Sequence, residues 1–374
     1  MEKIGYGIIG FGGIAENRIA KEGFGVDKSR FNGHPEAELI GVTDINQARK
    51  DAATALGLKW YAETSQLLGD SRIQAVFIAT NNLTHAPLAE QAIKAKRHCI
   101  IEKPFATNLS DAQKVQDLAH KNGMSISVDH MMMHNVYNIR ARNLVKQGAV
   151  GEVNDTCLHM EFLYGSTPEE AKTWRCANPD ELGGPIGDVA SHCLYMAEFL
   201  LNSRIDSIAC VYTPRTLDIN VENGAFIQFK LKNQIQGTVR VAFNQPRGGL
   251  ESTLTNLGYE IYGTKGTIRG YGTLFQISGH VGEPVDVRLE IDTPAAAVAQ
   301  ATLRGASLSP RKRGGIETVK IKEVENIYQA VISRHARSII NKKPLAATEA
   351  IENLRLILAC HESAKADGKT IRAI

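Results

Sequence analysis

The stretch "IGYGIIGFGGIA", residues 4–15, limits most tightly what this chain can fold into. A short apolar run ends at Gly10, and Gly10-Phe11-Gly12-Gly13-Ile14-Ala15 then reads G-x-G-x-x-A. The first glycine permits a tight turn out of a strand. The second lets the backbone approach a pyrophosphate, and the small Ala15 lets the following helix pack close to the strand. The start of that helix offers amide donors and a favourable dipole to a phosphate. Glycine turns after strands are common, so the pattern gains its weight from its place directly after an N-terminal strand.

Beyond Ala15 the chain keeps the alternation that such a turn requires. Apolar, β-branched runs at 37–44, 75–80, 98–101 and 125–129 are too short for helices. Helical patterns lie between them at 46–56, 84–97 and 109–123, the last closed by Gly123. Strand–helix alternation predicts a doubly wound α/β sheet over residues 1–130. After a helix near Tyr137–Gln147 the pattern changes to longer alternating runs at 152–165, 207–212, 225–230, 236–243 and 259–271. Glycines and Asn-Gly or Lys-Gly pairs punctuate them, as antiparallel hairpins require. Residues 131–345 therefore read as an α+β domain on a large, mostly antiparallel sheet, with one helix inserted at 186–200. A long helix, 347–369, closes the chain within a segment 346–374 expected to pack back on the first domain. Residues 293–316 are rich in Ala, Ser and Gly and read as an excursion between strands. Two domains suit 374 residues.

Composition excludes several classes of function. At 43% hydrophobic, 22% charged and a net charge of +3, the chain has the balance of a soluble globular protein. Its basic residues are too scattered for a nucleic-acid partner, and the densest run, Ser309–Gly315, reads as an exposed loop. The six cysteines, Cys99, Cys157, Cys176, Cys193, Cys210 and Cys360, form no C-x-x-C pair and read as reduced thiols. No window approaches the ~20 apolar residues of a membrane span, and the N-terminus lacks a signal-peptide pattern. The expectation is a cytoplasmic protein without membrane or nucleic-acid partners.

Four further constellations carry chemistry. Asp44 ends the second strand in "IGVTD", where its carboxylate can accept the adenosine ribose hydroxyls and repel a 2′-phosphate. This favours NAD over NADP. It lies about ten residues beyond the usual interval of ~20, and the surplus, residues 21–37, reads as an insertion that could cover part of the cofactor cleft. Thr80, Asn81, Asn82 and His85 follow the fourth run, where Asn82 or Thr84 can also cap the next helix. Glu102-Lys103-Pro104 follows the fifth run, at the carboxyl edge where open α/β sheets bind ligands. There a lysine can reach the nicotinamide end of a cofactor. Finally, Asp188 and His192 share one face of the otherwise apolar helix 186–200. His130 and His134 also have i, i+4 spacing, but no H-E-x-x-H or cysteine partner accompanies them, and no metal is expected.

In this order the motifs resemble the Gfo/Idh/MocA family, the glucose–fructose oxidoreductase and inositol dehydrogenase-like enzymes. The resemblance runs through nearly the whole chain, including "GAVGEV" (148–153) and "EIYGTKGTI" (260–268). It implies a Rossmann domain that binds NAD through Gly10, Phe11, Gly12, Gly13, Ile14 and Asp44. Thr80, Asn81, Asn82, His85, Glu102 and Lys103 would serve the same cofactor. It implies that Lys103 bonds the reacting hydroxyl, Asp188 binds and orients the substrate, and His192 takes the hydroxyl proton. An imidazole suits that task because an alcohol needs a base tuned near working pH. Trp174 and Arg175 match a W-R pair typical of the family. Asn81 stands where a proline is frequent. Met131–His134 replaces the usual arginine or aromatic, so Met132 and His134 are candidate substrate contacts for a less polar or larger molecule. The implied activity is reversible, NAD-dependent oxidation of a secondary alcohol on a sugar, sugar derivative or cyclitol by a homodimer or homotetramer. A glycosidase- or lyase-like reaction through transient oxidation by tightly held NAD is the alternative. A catalytically silent NAD-binding subunit would have lost Lys103 or His192, and both are present.

Overall fold

The computed structural model describes residues 3–245, 257–272, 287–293, 315–321 and 326–373. Six parallel strands form the first sheet: β1 (Ile4–Ile9), β2 (Ala37–Thr43), β3 (Lys59–Trp60), β4 (Ala75–Ile78), β5 (His98–Ile101) and β6 (Ile126–Val128). Their order is β3-β2-β1-β4-β5-β6. Strands β1 and β4 are buried along their whole length, as in a sheet covered on both faces. The order reverses between β1 and β4, and that switch opens a crevice at the carboxyl ends of the strands.

Among the described residues the second sheet has nine strands: β7 (Val153–Glu161), β8 (Ile205–Tyr212), β9 (Gly224–Leu231), β10 (Gln236–Ala242), β11 (Leu257–Gly263), β12 (Gly266–Tyr271), β13 (Arg288–Thr293), β14 (Gly315–Thr318) and β15 (Ile371–Arg372). Their order is β14-β13-β12-β11-β7-β10-β9-β8-β15. Every neighbouring pair is antiparallel except β7 with β10, so the sheet is mostly antiparallel. The run at 259–271 is a hairpin turned at Thr264 and Lys265. The helix Ser191–Leu201 buries nearly every residue, and Val211 and Phe226 stay exposed as cross-strand neighbours. Positions 294–314 lie outside the described residues, and with them most of the segment 293–316 and of the basic run.

Two helices join what the sequence separates. Ile327–Ile340 follows β14 in the chain yet packs on the first domain. Its His335 Nδ1 lies 2.8 Å from the Tyr6 hydroxyl, and Ser338 Oγ lies 2.6 Å from Ser125 Oγ. Burying a side chain such as its Ile332, which has no exposed surface, contributes roughly 1.5–3 kcal/mol. The helix Thr348–Lys365 packs its Ala350, Ile351 and Leu354 with the first-domain helix Leu109–Lys121. Further along, Ser363 Oγ accepts the Cys210 N–H of β8 at 2.8 Å.

The insertion at 21–37 does not cover the cleft. The Ile4 N–H donates to Glu36 O (3.0 Å), the His34 ring meets Gln329 O (3.2 Å), and Gln329 Nε2 donates to Asn32 O (3.3 Å). A loop that leads into the start of β2 must end at the amino edge of the sheet, opposite the crevice. Among the described residues no helix is long and apolar enough to cross a membrane, and no group of three His, Cys, Asp or Glu could hold a metal ion.

Candidate active site

The nucleotide half of the cleft is backbone. Gly10 turns out of β1 at φ +89°, and a Cβ there would lie 2.7 Å from Ala79 O. Only glycine takes that conformation beside a neighbouring strand end without strain. At Gly12 and Gly13 an added Cβ would meet nothing within 4 Å. The space over these two glycines is therefore free for a ligand, where the helical run that leads into Ala15–Gly23 begins and its dipole favours an anion. A dinucleotide pyrophosphate fits that cradle. Ile14 is exposed at its mouth, and Phe11 is wholly buried. Asp44 follows β2 and locks the turn from the side: its Oδ2 accepts the Phe11 N–H at 2.5 Å and its Oδ1 the Asn46 N–H at 2.8 Å. The cap of the next helical turn is Asn46, which accepts the Ala48 N–H (3.1 Å), and not Asp44. Arg49 also reaches the turn. It donates to Phe11 O at 2.7 Å and pairs with Glu16.

The loops after β4 and β5 join this half to the next. His85 is fully buried, with Nδ1 2.8 Å from Pro104 O and Nε2 3.2 Å from Thr80 O. Burial lowers its pKa, so the neutral ring donates through the shorter contact and ties one loop to the other. Thr80 accepts the Thr84 hydroxyl at 2.7 Å. Asn81 Nδ2 donates to the Glu181 carboxylate, Asn82 Nδ2 to Glu181 O (2.6 Å), and the Leu83 N–H to Glu181 Oε2 (2.8 Å). Buried Glu181 is thus a latch between the domains, and Asn82, 3% exposed, is taken up by it. The bond between Lys103 and Pro104 is cis. Glu102 lies against Asp129, which is completely buried. Burial raises both carboxyls, and the neighbouring Glu102 raises Asp129 further. Two carboxylates so placed cannot both ionise, and the pair holds a proton.

The opposite half is side-chain charge on the helix that begins at Ile186. Its first turn, Ile186–Ala190, is a π-turn, and α-helix continues from Ser191 to Leu201. Such wide turns recur at functional sites. Close packing sets the entry: a Cβ at Gly187 would lie 1.8 Å from Leu182 O. Glu222, buried, accepts the Ile186 N–H at 2.8 Å. Lys103 Nζ crosses from the first domain to donate to Asp188 Oδ1 (2.8 Å) and Asp188 O (2.5 Å), and Arg175 Nε lies 3.5 Å from Asp188 Oδ1. The Arg175 guanidinium also sits over the Trp174 ring at 4.4 Å. Burial alone would raise the Asp188 pKa. The two cations outweigh it and hold the carboxylate well below its usual range.

His192 is 4% exposed, and its Nδ1 is 2.8 Å from the Tyr195 hydroxyl. Burial, then the Lys103 charge, hold its pKa well below that of a free imidazole, against an opposing pull from Asp188. The ring is neutral and able to accept a proton.

Lys103, Asp188, His192, Arg175 and Trp174 thus gather at one place. Met132 and His134 do not join them. Met132 is 1% exposed, and its carbonyl accepts Asn138 Nδ2 at 2.9 Å. His134 lines a separate cavity behind the helix, where burial lowers its pKa to about 4. The 3₁₀ turn Met131–His134 drives its first two side chains into the core, which removes Met132 from the cleft wall. Glu181, Arg49 and Tyr195 were not singled out in the sequence. Only Tyr195 had a signal there, standing three residues after His192 on the same helix.

Comparison with known proteins agrees with this fold. Residues 4–130 match an oxidoreductase family model with an NAD-binding Rossmann fold, and residues 139–269 match the Gfo/Idh/MocA C-terminal domain. A 1,5-anhydro-D-fructose reductase from Ensifer adhaerens is 24% identical over 243 residues, which are 64% of this chain and 70% of that protein. The glucose-6-phosphate 3-dehydrogenase of Bacillus subtilis is 28% identical over 245 residues, 63% of this chain and 66% of that one. Among solved structures, a 3-ketoreductase from Actinomadura kijaniata, in complex with NADP and TDP-benzene, superposes with a TM-score of 0.78. It is 15% identical, over 97% of this chain and 98% of that one. With a Rossmann half and a sheet-rich half both matched, this chain belongs to the Gfo/Idh/MocA family of oxidoreductases.

Proposed function

We propose that this protein is an NAD-dependent dehydrogenase that reversibly oxidises a secondary alcohol of a sugar, sugar derivative or cyclitol. The observation that carries the reading is the meeting of Lys103, Asp188 and His192 across the domain boundary. Nicotinamide, when bound, supplies the hydride acceptor. The chain supplies the rest. Asp188 accepts a substrate hydroxyl and keeps Lys103 in place. The Lys103 ammonium donates to the reacting oxygen and stabilises its developing negative charge. His192 takes the hydroxyl proton at Nε2. The relatives' names, a reductase of an anhydro-sugar and a dehydrogenase of a sugar phosphate, support a carbohydrate or carbohydrate-like substrate.

The preference for NAD rests on Asp44, whose carboxylate, beside the glycine turn, would accept the adenosine ribose hydroxyls and repel a 2′-phosphate. Arg49, the cation nearby, is already engaged by Glu16 and Phe11 O and is not free for a 2′-phosphate. The domain limits we infer are 1–130 for the nucleotide, 131–345 for substrate and assembly, and a closing helical segment 346–374. A screen of D-glucose, glucose 6-phosphate and myo-inositol with NAD and NADP, and of 1,5-anhydro-D-fructose with NADH and NADPH, read at the absorbance of reduced nicotinamide, tests the reading. Turnover that survives both Lys103→Ala and His192→Ala would overturn it.

A further inference from the structure

The helix that carries the acid and base does not end its polar stripe at His192. Asp188, His192, Tyr195 and Phe199 follow one another at helical spacing on one face. The Tyr195 oxygen lies 2.8 Å from His192 Nδ1 and receives the Met132 N–H at 3.4 Å. Its ring stacks on His130 at 4.3 Å. Tyr195 and His130 together line a cavity of about 470 Å³ that is open to solvent and is lined by neither His192 nor Lys103. Arg204 and Glu198 in its wall pair at 2.7 Å, and Arg142, Arg334 and Glu349 also line it. A cavity of that size and polarity holds water.

We propose that Tyr195 is a relay and positioning residue, carrying the substrate's proton from His192 to water in this second cavity. The inference rests on His192 being the base. A buried imidazole beside the Lys103 ammonium holds a second proton poorly, and Asp188 only partly compensates. The proton must leave as it arrives. In the competent tautomer Nδ1–H donates to the Tyr195 oxygen and Nε2 is bare. The alcohol proton passes to Nε2, the Nδ1 proton passes to the Tyr195 oxygen, and the Tyr195 hydroxyl proton passes to a cavity water. One proton enters and one leaves, and the ring stays neutral. The starting tautomer returns by the opposite shuttle once water stands where the substrate hydroxyl stood: Nε2–H goes to that water and Nδ1 is refilled through Tyr195 from the cavity, so the cavity water holds the proton only while the oxidised substrate occupies the cleft.

Tyr195→Phe keeps the ring and removes the relay atom. With the fastest substrate among the sugars and cyclitols screened, kcat is expected to fall about tenfold to a hundredfold, with the melting temperature and NAD affinity unchanged. The solvent deuterium isotope effect on kcat should rise at least twofold, and added imidazole, small enough for the cavity, should restore part of the rate. A Tyr195→Phe protein with the wild-type kcat and isotope effect overturns the relay. So does a slow one that imidazole does not rescue and whose isotope effect is unmoved. His192→Ala separates the two readings: an active variant rejects His192 as base, whereas an inactive one alongside an unaffected Tyr195→Phe rejects only the relay. Independently of substrate, ¹⁵N-histidine NMR, with the His192 signals assigned by their loss in His192→Ala, should show a neutral ring at pH 6. It should also show a change at Nδ1 in Tyr195→Phe. A His192 ring already charged at pH 6 removes the need for a relay and overturns it.

Discussion

Around Gly10 the cleft is made of main chain: one glycine that must be glycine, two over which space is left open, and an aspartate that holds the turn by its amide. Around Asp188 it is made of side chains: a carboxylate between two cations, with a desolvated imidazole one turn further on. In the proposed reaction the first half recognises shape and a phosphate charge, and the second holds charge where a proton and a hydride part. The two halves therefore differ in which changes are costly. In the first half a side chain too many is harmful. In the second a side chain too few leaves a buried charge unpaired.

The steepest loss belongs to the second half. Lys103→Met removes the ammonium that bridges to Asp188, and kcat should fall by about 10²–10⁴. Nucleotide affinity, measured by quenching of intrinsic fluorescence, should change only a few-fold. A loss of nucleotide binding as large as the loss of rate would break the division between halves. Within the first half, Gly10→Ala forces an alanine to φ +89° against Ala79 O, which costs about 1–3 kcal/mol of stability. Gly12→Ala meets no protein atom and should alter stability by no more than about 0.5 kcal/mol while weakening nucleotide binding. Melting and titration of the two variants side by side check this. Equal destabilisation by both would show that the space over Gly12 is not the ligand's.

The same contrast explains what could be read in advance. The G-x-G-x-x-A turn, the strand-end Asp44 and the change of pattern after residue 147 are local signals. Each is written within a dozen residues, and the sheets follow them closely. The contact of Lys103 with Asp188 spans 85 positions. Nothing near either residue announces it, and it became visible only through the order of motifs and the family they resemble. Met132 shows the limit of pattern. A methionine run beside histidines looks like a pocket wall, but a tight 3₁₀ turn puts Met131 and Met132 in the core. The insertion at 21–37 failed for a topological reason, since the amino end of β2 faces away from the cleft. Glu181 had no signal, because a latch is defined by the loop it reaches.

A smaller effect concerns the support of the Asp188 helix. Burial pushes the Glu222 carboxyl up to about 7, with the Ile186 N–H bond opposing. An acid whose folded pKa is raised binds more protons in the native state, so its contribution is present below the unfolded pKa near 4.5 and is lost as pH rises through 7. Wild-type stability should therefore decline across that window by on the order of 2 kcal/mol from this group. Glu222→Gln keeps an oxygen for Ile186 and should flatten the decline, as urea unfolding at pH 5 and pH 7.5 would measure. An unchanged slope in the variant would place the cause elsewhere.

The mildest change tests the nucleotide half at its most specific point. Asp44→Asn keeps an oxygen to accept the Phe11 N–H, so the turn should hold, but it removes the negative charge from the adenosine end. The ratio of NAD to NADP affinity is then expected to fall about tenfold, or ~1.4 kcal/mol, mainly through tighter NADP binding, because the repulsion of a 2′-phosphate is gone. Arg49 should limit the gain, since its guanidinium remains tied to Glu16. Adding Glu16→Gln releases it and should move the ratio further in the same direction. If Asp44→Asn leaves the ratio where it was while the turn stays intact, the preference comes from the shape of the cradle and not from its one acidic side chain. The nucleotide half would then be backbone throughout.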